Sequence, residues 1–180
     1  MEHIIHSIEP VFDAESRVLI LGTMPSPKSR EVQFYYGHPQ NRFWRVLAAV
    51  LGEEVPQSVP EKKAMLLRHR IALWDVLAEC EITGASDSSI RNPVANDLSV
   101  ILDHAPVQAV FTTGATAWKL YTRLQKPHTG IEAVRLPSTS PANCAVKMEA
   151  LTEAYKAILP WLEPNRSEER RVGKECRSRW

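Results

Sequence analysis

Cysteine is scarce in this chain. Cys80, Cys144 and Cys176 are the three cysteines among 180 residues, an odd number with no C-x-x-C. That spacing excludes a disulfide framework, a zinc ribbon and a four-cysteine iron–sulfur site. Apolar runs are all far shorter than the roughly 20 residues of a membrane span, so no membrane segment is expected. The opening MEHIIHSIEP is acidic and too weakly apolar for a secretory signal, and the expected compartment is a reducing cytoplasm. Three common catalytic signatures are missing: G-x-x-x-x-G-K-[ST], G-x-G-x-x-G after the first strand, and G-x-S-x-G. The six histidines, at 3, 6, 38, 69, 104 and 128, have no metal-ligand spacing, so neither metal nor cofactor is expected.

An excess of charge of one sign is lacking too. The whole chain carries 22 Lys+Arg and 21 Asp+Glu, but residues 165–180 hold six of the basic and three of the acidic residues. Residues 1–164 therefore carry sixteen against eighteen, a net of −2. Any nucleic acid must be held by a local patch, because no global positive field steers it. The body, 1–164, is long enough for one domain with its own core. Residues 165–180 follow Pro164, are charge-dense and lack periodicity, and read as an unstructured extension or a stretch foreign to the domain.

Within the body, apolar runs alternate with helical spacing. Arg17–Gly22, Ile71–Trp74 ending at Asp75, Val107–Phe111 and Ile131–Leu136 read as strands. Helices are expected from about Asn41 to Leu51, stopped by Gly52; from Ser58, whose spacing to Glu61 is a capping box, to about Arg70; from Asn96 to His104; from Ala115 to Leu124; and over 143–162. Residues 81–95 read as a polar, turn-rich connection. The alternation predicts an α/β fold, a parallel sheet with helices on both faces. Ligands in such sheets sit at the carboxyl ends of the strands, which selects the loops after Gly22, Trp74, Phe111 and Leu136.

The first of these loops packs aromatics, an amide and cations into Tyr35-Tyr36-Gly37-His38-Pro39-Gln40-Asn41-Arg42-Phe43-Trp44, the composition that stacks on and grips a nucleobase. Together with G-T-M-P-S (22–26), A-L-W-D-V-L (72–77) and L-P-S-T-S-P-A-N (136–143), this stretch resembles the uracil-DNA glycosylase superfamily, and within it the hypoxanthine-DNA (deoxyinosine) glycosylase branch. The resemblance implies a three-layer α-β-α sandwich around a four-stranded, mostly parallel sheet. It implies a monomer without metal that flips hypoxanthine out of double- or single-stranded DNA containing a deaminated base, cuts the N-glycosidic bond and leaves an abasic site.

Residue roles follow from the same resemblance. Uracil-specific members place an Asp or Asn where Met24 stands, so the water-orienting role passes to Asn41, an amide that equally suits a helix N-cap. Gly22, Thr23, Met24, Pro25, Tyr36, His38, Phe43, Asp75 and Asn92 are expected around the base. Either Tyr36 or Phe43 is the stacking plate, and His38 either donates to a base carbonyl or satisfies its own loop. Asp75 would accept the ring N–H that hypoxanthine and uracil present beside a carbonyl, where adenine offers a lone pair; the alternative is a cap on the following turn. Ser26, Arg42, Thr113, Pro137, Ser138, Thr139 and Ser140 are expected at the DNA backbone or in the minor groove. Lys28, Arg30, Arg45 and Arg91 are further candidates for phosphate contacts, and Asp87 and Ser88 weaker ones for the pocket. Leu136 replaces the His that uracil-specialised relatives carry before the Pro-Ser pair, so little uracil excision is expected. No lysine stands where Schiff-base lyase chemistry would need one. The competing readings are a uracil or mismatch glycosylase of the same fold, a nucleic-acid-binding module without turnover, and a small-molecule hydrolase using Ser26 or Ser138.

Overall fold

The computed structural model describes residues 2–83 and 86–162; residues 165–180 lie outside the described residues. In chain order the elements are β1 (Glu2–Ile5), β2 (Val18–Gly22), α1 (Pro27–Val32), α2 (Phe43–Leu51), α3 (Val59–Arg68), β3 (Ile71–Asp75), β4 (Leu77–Ile82), β5 (Arg91–Ala95), α4 (Ser99–Leu102), β6 (Ala109–Thr113), α5 (Ala115–Leu124), α6 (Lys126–Thr129), β7 (Ala133–Leu136), α7 (Met148–Tyr155) and α8 (Leu159–Leu162). Strands β3, β2, β6 and β7 form one sheet in that order, every pair parallel. All five residues of β2 and of β3 are buried, as are the first four of β6. Successive side chains of a strand point to opposite faces, so complete burial means that both faces are covered. This is the three-layer arrangement expected from the alternating pattern. Helix α3 packs on β3, α5 on β6 and β7, and α2 on α7.

Register fixes the rim that matters. Gly22 pairs with Asp75 across β2 and β3, Leu21 with Thr112 across β2 and β6, and Thr113 with Leu136 across β6 and β7. The four strands therefore end side by side, and four loops open over one edge.

A second sheet was not anticipated. Strand β4 pairs antiparallel with both β1 and β5. Residues 81–95, read as a connection, thus supply the end of β4 and all of β5. The N-terminal segment becomes β1, although only Ile4 of its four residues is buried. The pairing of β4 with β5 is irregular, with register shifts on either side of Glu79, which suits a strand containing Pro93.

Other boundaries moved for local reasons. Thr112 and Thr113 belong to β6, and the turn is confined to Gly114, whose φ of 99° lies in the region glycine tolerates. Asn96 does not cap α4; its Nδ2 donates to the carbonyls of Asp75 and Leu77, and Asp97 Oδ1 receives the Ser99 amide instead. The long loop after β2 contains α1, with Ser26 accepting from the Ser29 amide as its N-cap. The expected closing helix of 143–162 is broken into α7, a 3₁₀ turn and α8. The capping box stands as read: Ser58 accepts from the Glu61 amide, and the Glu61 carboxylate reaches back to the Gln57 amide.

Ile20, fully buried at the middle of β2, is expected to cost about 2–5 kcal/mol of unfolding free energy on Ile20→Ala. Urea denaturation measures this, and a loss under about 1 kcal/mol would contradict the central position given to β2.

Candidate active site

The rim of the parallel sheet encloses a cavity of about 150 Å³ lined by residues of all four expected loops, among them Gly22, Met24, Tyr36, Asn41, Asp75, Thr113 and Ser138. It is small beside the roughly 300–1,000 Å³ clefts that take drug-sized ligands. Thr23, Pro25, Ser26, Thr139 and Ser140 complete the wall from the predicted set, and Asp87, Tyr35, Ser29 and Ile82 add to it.

The floor is Gly22. A Cβ there would lie 2.5 Å from Asp75 Oδ1, 3.0 Å from the Tyr36 hydroxyl and 3.5 Å from Thr113 Oγ1. Absence of a side chain is what lets three polar atoms converge on one spot above the strand end. Tyr36 and Thr113 hydrogen-bond each other at 3.0 Å. Two hydroxyls sharing one hydrogen bond retain one proton, for which the 3.5 Å contact from Thr113 Oγ1 to the Leu21 carbonyl competes weakly. Thr113, expected at the DNA backbone, lines the cavity.

Tyr36 is held there against backbone preference. Its φ of 53° is left-handed, uncommon for a bulky residue. Its ring stacks on Phe43 at a centroid distance of 3.9 Å and 9° between planes. Phe43 is completely buried behind it. Of the two candidate plates, Tyr36 faces the cavity and Phe43 supports it. Burial pushes the Tyr36 phenol well above its ordinary value, and the nearby Asp75 charge adds to this, so its proton is retained. Tyr35 turns the other way and donates to the carbonyls of Ile8 and Glu9.

Asn41 stands one residue before Arg42, the N-cap of α2, so it is not the N-cap itself, yet its side chain serves the start of that helix. Its Oδ1 accepts from the Phe43 amide at 2.9 Å, at the start of α2, and from the Thr139 hydroxyl at 2.8 Å. A backbone N–H is only ever a donor, so the amide orientation is settled and Nδ2 is left as the free donor. Thr139, itself 1 % exposed, thereby joins the first loop to the last. Arg42 reinforces that joint. Its amide donates to the Thr139 carbonyl, and its guanidinium to the carbonyls of Asn143 and Val146. Arg42, expected at the DNA, is here engaged as an internal brace.

Asp75 is the buried acid of the site, and the turn-capping alternative does not hold. Its Oδ2 is 2.9 Å from His6 Nε2, with side-chain exposures of 6 % and 2 %. No described protein group donates to Oδ1. His6 went unnoticed in the sequence because its neighbours carry no period, and its partner is 69 residues away. Asp87 was a weaker candidate and proves to border the cavity, with its carboxyl accepting from Thr23 at a long 3.5 Å. Asp87 is exposed as a residue, but partial desolvation of its carboxyl beside the cavity raises its pKa; the Thr23 hydrogen bond opposes this, and the Asp75 charge adds to it.

Three predicted positions lie elsewhere. His38 is exposed, and its Nδ1 accepts from the Gln40 amide, the loop-satisfying alternative. Asn92 lies in β5, exposed, with a left-handed φ of 52° and its amide on Glu81. Pro137 borders an adjoining groove, together with Ser88, and its carbonyl receives the Tyr155 hydroxyl. Among the further cations, Lys28 pairs with Glu31, Arg30 with Glu2, and Arg91 donates to the Ile90 carbonyl. No group of three or more His, Cys, Asp or Glu able to hold a metal occurs among the described residues.

The fold is thus a parallel α/β sheet with a partly open cavity at its strand ends, walled by an amide, a carboxylate and an aromatic ring. Residues 9–163 match the Uracil DNA glycosylase superfamily, and the chain belongs to that superfamily. It is similar to a hypoxanthine DNA glycosylase of Methanosarcina acetivorans, 37 % identical over 135 residues, which cover 74 % of this chain and 84 % of the relative. A second hypoxanthine DNA glycosylase, from Methanosarcina barkeri, is 38 % identical over 99 residues, 54 % of this chain and 62 % of the relative. A solution NMR structure of a candidate uracil DNA glycosylase from M. acetivorans superposes with a TM-score of 0.75 at 32 % identity, covering 88 % of this chain and 98 % of that one.

The raised pKa of Asp87 carries a stability consequence. Its ionised form is disfavoured in the fold, so the penalty is complete at neutral pH and disappears as pH falls through the folded pKa to the unfolded value of about 3.9. Asp87→Asn is expected to melt higher than the parent at pH 7, with the gap closing towards pH 4. Thermal melts at the two pH values check this, and a pH-independent gap would contradict it.

Proposed function

We propose that the cavity receives a hypoxanthine flipped out of DNA and that the protein hydrolyses its N-glycosidic bond, leaving an abasic site. The observation that supports this most directly is the unengaged Oδ1 of buried Asp75, standing beside the Tyr36–Thr113 hydroxyl pair over Gly22. An acceptor next to a donor is the complement of a lactam edge, a ring N–H beside a carbonyl. Hypoxanthine and uracil both present that edge, and the relatives named hypoxanthine DNA glycosylases favour the purine. Adenine presents a lone pair where the N–H would be, and Asp75 repels it. Tyr36, backed by Phe43, supplies the stacking surface that offsets the few kcal/mol of unstacking.

Asn41 places the water. With Oδ1 occupied, its Nδ2 donates to the water oxygen and leaves the other lone pair for C1′. The C1′–N9 electrons depart on the base, the water oxygen bonds C1′, and the proton it sheds ends on the base or in solvent. The sugar is strongly cationic at that moment, so the nucleophile needs position more than deprotonation. An amide suffices.

Ser138 and Ser140 line the cavity with hydroxyls that accept backbone amides and keep a proton for phosphate oxygens of a DNA strand, whereas Ser26 donates to the Ser29 hydroxyl. The protein works as a monomer without metal, in the cytoplasm, on DNA containing a deaminated base. The uracil reading is less favoured because Leu136 occupies the position of the uracil-specific His.

Duplexes bearing one deoxyinosine, one uracil or one mismatch, treated with alkali after incubation, test the reading. Scission at inosine is expected. Uracil-only cleavage, or binding without cleavage, would overturn it. Asn41→Ala is expected to slow excision about a hundredfold or more, and full speed in single-turnover assays would remove Asn41 from the mechanism. Asp75→Asn is expected to narrow the preference for inosine over adenosine about tenfold, and an unchanged preference would remove Asp75 as the reader.

A further inference from the structure

We propose that His6 is a positioning residue for base recognition: its Nε2–H holds one oxygen of Asp75 so that the other stands in the cavity to accept a lactam N–H. This rests on the reading of the cavity as a base pocket. His6 itself lies outside residues 9–163, the span that matches the superfamily.

Three observations carry it. First, the tautomer is set locally. His6 Nδ1 accepts from the Ile8 amide at 3.3 Å, so the ring proton is on Nε2, facing Asp75 Oδ2 at 2.9 Å. Second, the ring cannot swing away. It stands edge-on to Trp74, at 6.4 Å and 81°, and tilted against Tyr35, at 6.0 Å and 44°, while the His6 amide donates to the Ala78 carbonyl at 2.7 Å and ties the segment to β4. Third, both side chains are almost completely buried, yet among the described residues only one carboxylate oxygen has a protein donor.

A carboxylate this far from water needs hydrogen bonds. One imidazole N–H satisfies half of it and fixes its rotation. A lysine or an arginine in the same place would bring several donors and compete for both oxygens. The arrangement leaves a single acceptor whose remaining need is met by the ligand, and a ligand without the N–H leaves it unmet. Selectivity is thus set by a residue that never touches the base.

The experiment uses the full chain with His6→Leu, which removes the donor, and His6→Gln, which keeps one. Single-turnover excision is measured on duplexes bearing deoxyinosine or N1-methyldeoxyinosine, the latter lacking the N–H. His6→Leu is expected to lose about ten- to hundredfold on deoxyinosine and far less on the methylated base, so that their ratio falls towards one. His6→Gln is expected to restore most of the ratio. A residue that merely joined the two sheets would lower stability and leave the ratio alone, and an unchanged ratio overturns the proposal. Side-chain ¹⁵N NMR of the unmodified chain decides independently of how the variants fold: an Nε2–H ring supports the proposal and an Nδ1–H ring overturns it. Failure of the unmodified chain to act on deoxyinosine would overturn the base-pocket reading itself and this proposal with it, whereas activity with an unchanged ratio would overturn the role of His6 alone.

Discussion

Parallel register places four strand ends on one line, and the chemistry of the molecule is confined to what those ends can hold. Because β2 and β3 are buried at every position, a polar group can appear on them only where the strand stops. Gly22 and Asp75 are opposite one another at that limit. One contributes a carboxylate and the other contributes empty space. A methyl group on Gly22 would meet Asp75 Oδ1 at 2.5 Å, and His6 prevents that oxygen from yielding. Glycine, aspartate and histidine are therefore a single steric and electrostatic unit drawn from three distant stretches of chain.

The second unit lies across the cavity, where Asn41, Thr139 and Arg42 join the first loop to the last. Its logic is orientation by saturation. Filling both acceptor positions of an amide oxygen with protein donors leaves no choice about what the nitrogen faces. The carboxylate and the amide are each half satisfied by the protein and half left open, and the open halves border the same 150 Å³.

Much of this was legible in the sequence, for identifiable reasons. Buried parallel strands are short, continuous apolar runs, and VLILG and IALWD stand out from their surroundings without any structural knowledge. Motif spacing then placed Asn41, Asp75, Tyr36 and Thr139 at the rim. The second sheet was hidden because its strands lack that signature. EHII buries one residue, RNPVA contains a proline, and LAECEI shares its burial irregularly. His6 was hidden with it, since a hydrogen bond spanning 69 residues leaves no trace in local pattern. Arg42, His38 and Asn92 stand apart from the cavity lining, and each has its first partner in the protein's own backbone or on a neighbouring strand, a direction that loop polarity alone does not reveal.

The Thr139 bridge has a mechanical consequence. The hydroxyl that orients Asn41 belongs to the same short turn as Ser138 and Ser140, so whatever seats that turn also steadies the amide. Thr139 is almost fully buried, and Ser138 and Ser140 on either side of it line the cavity. Any displacement of that turn therefore moves the amide, and with it the joint between the first loop and the last.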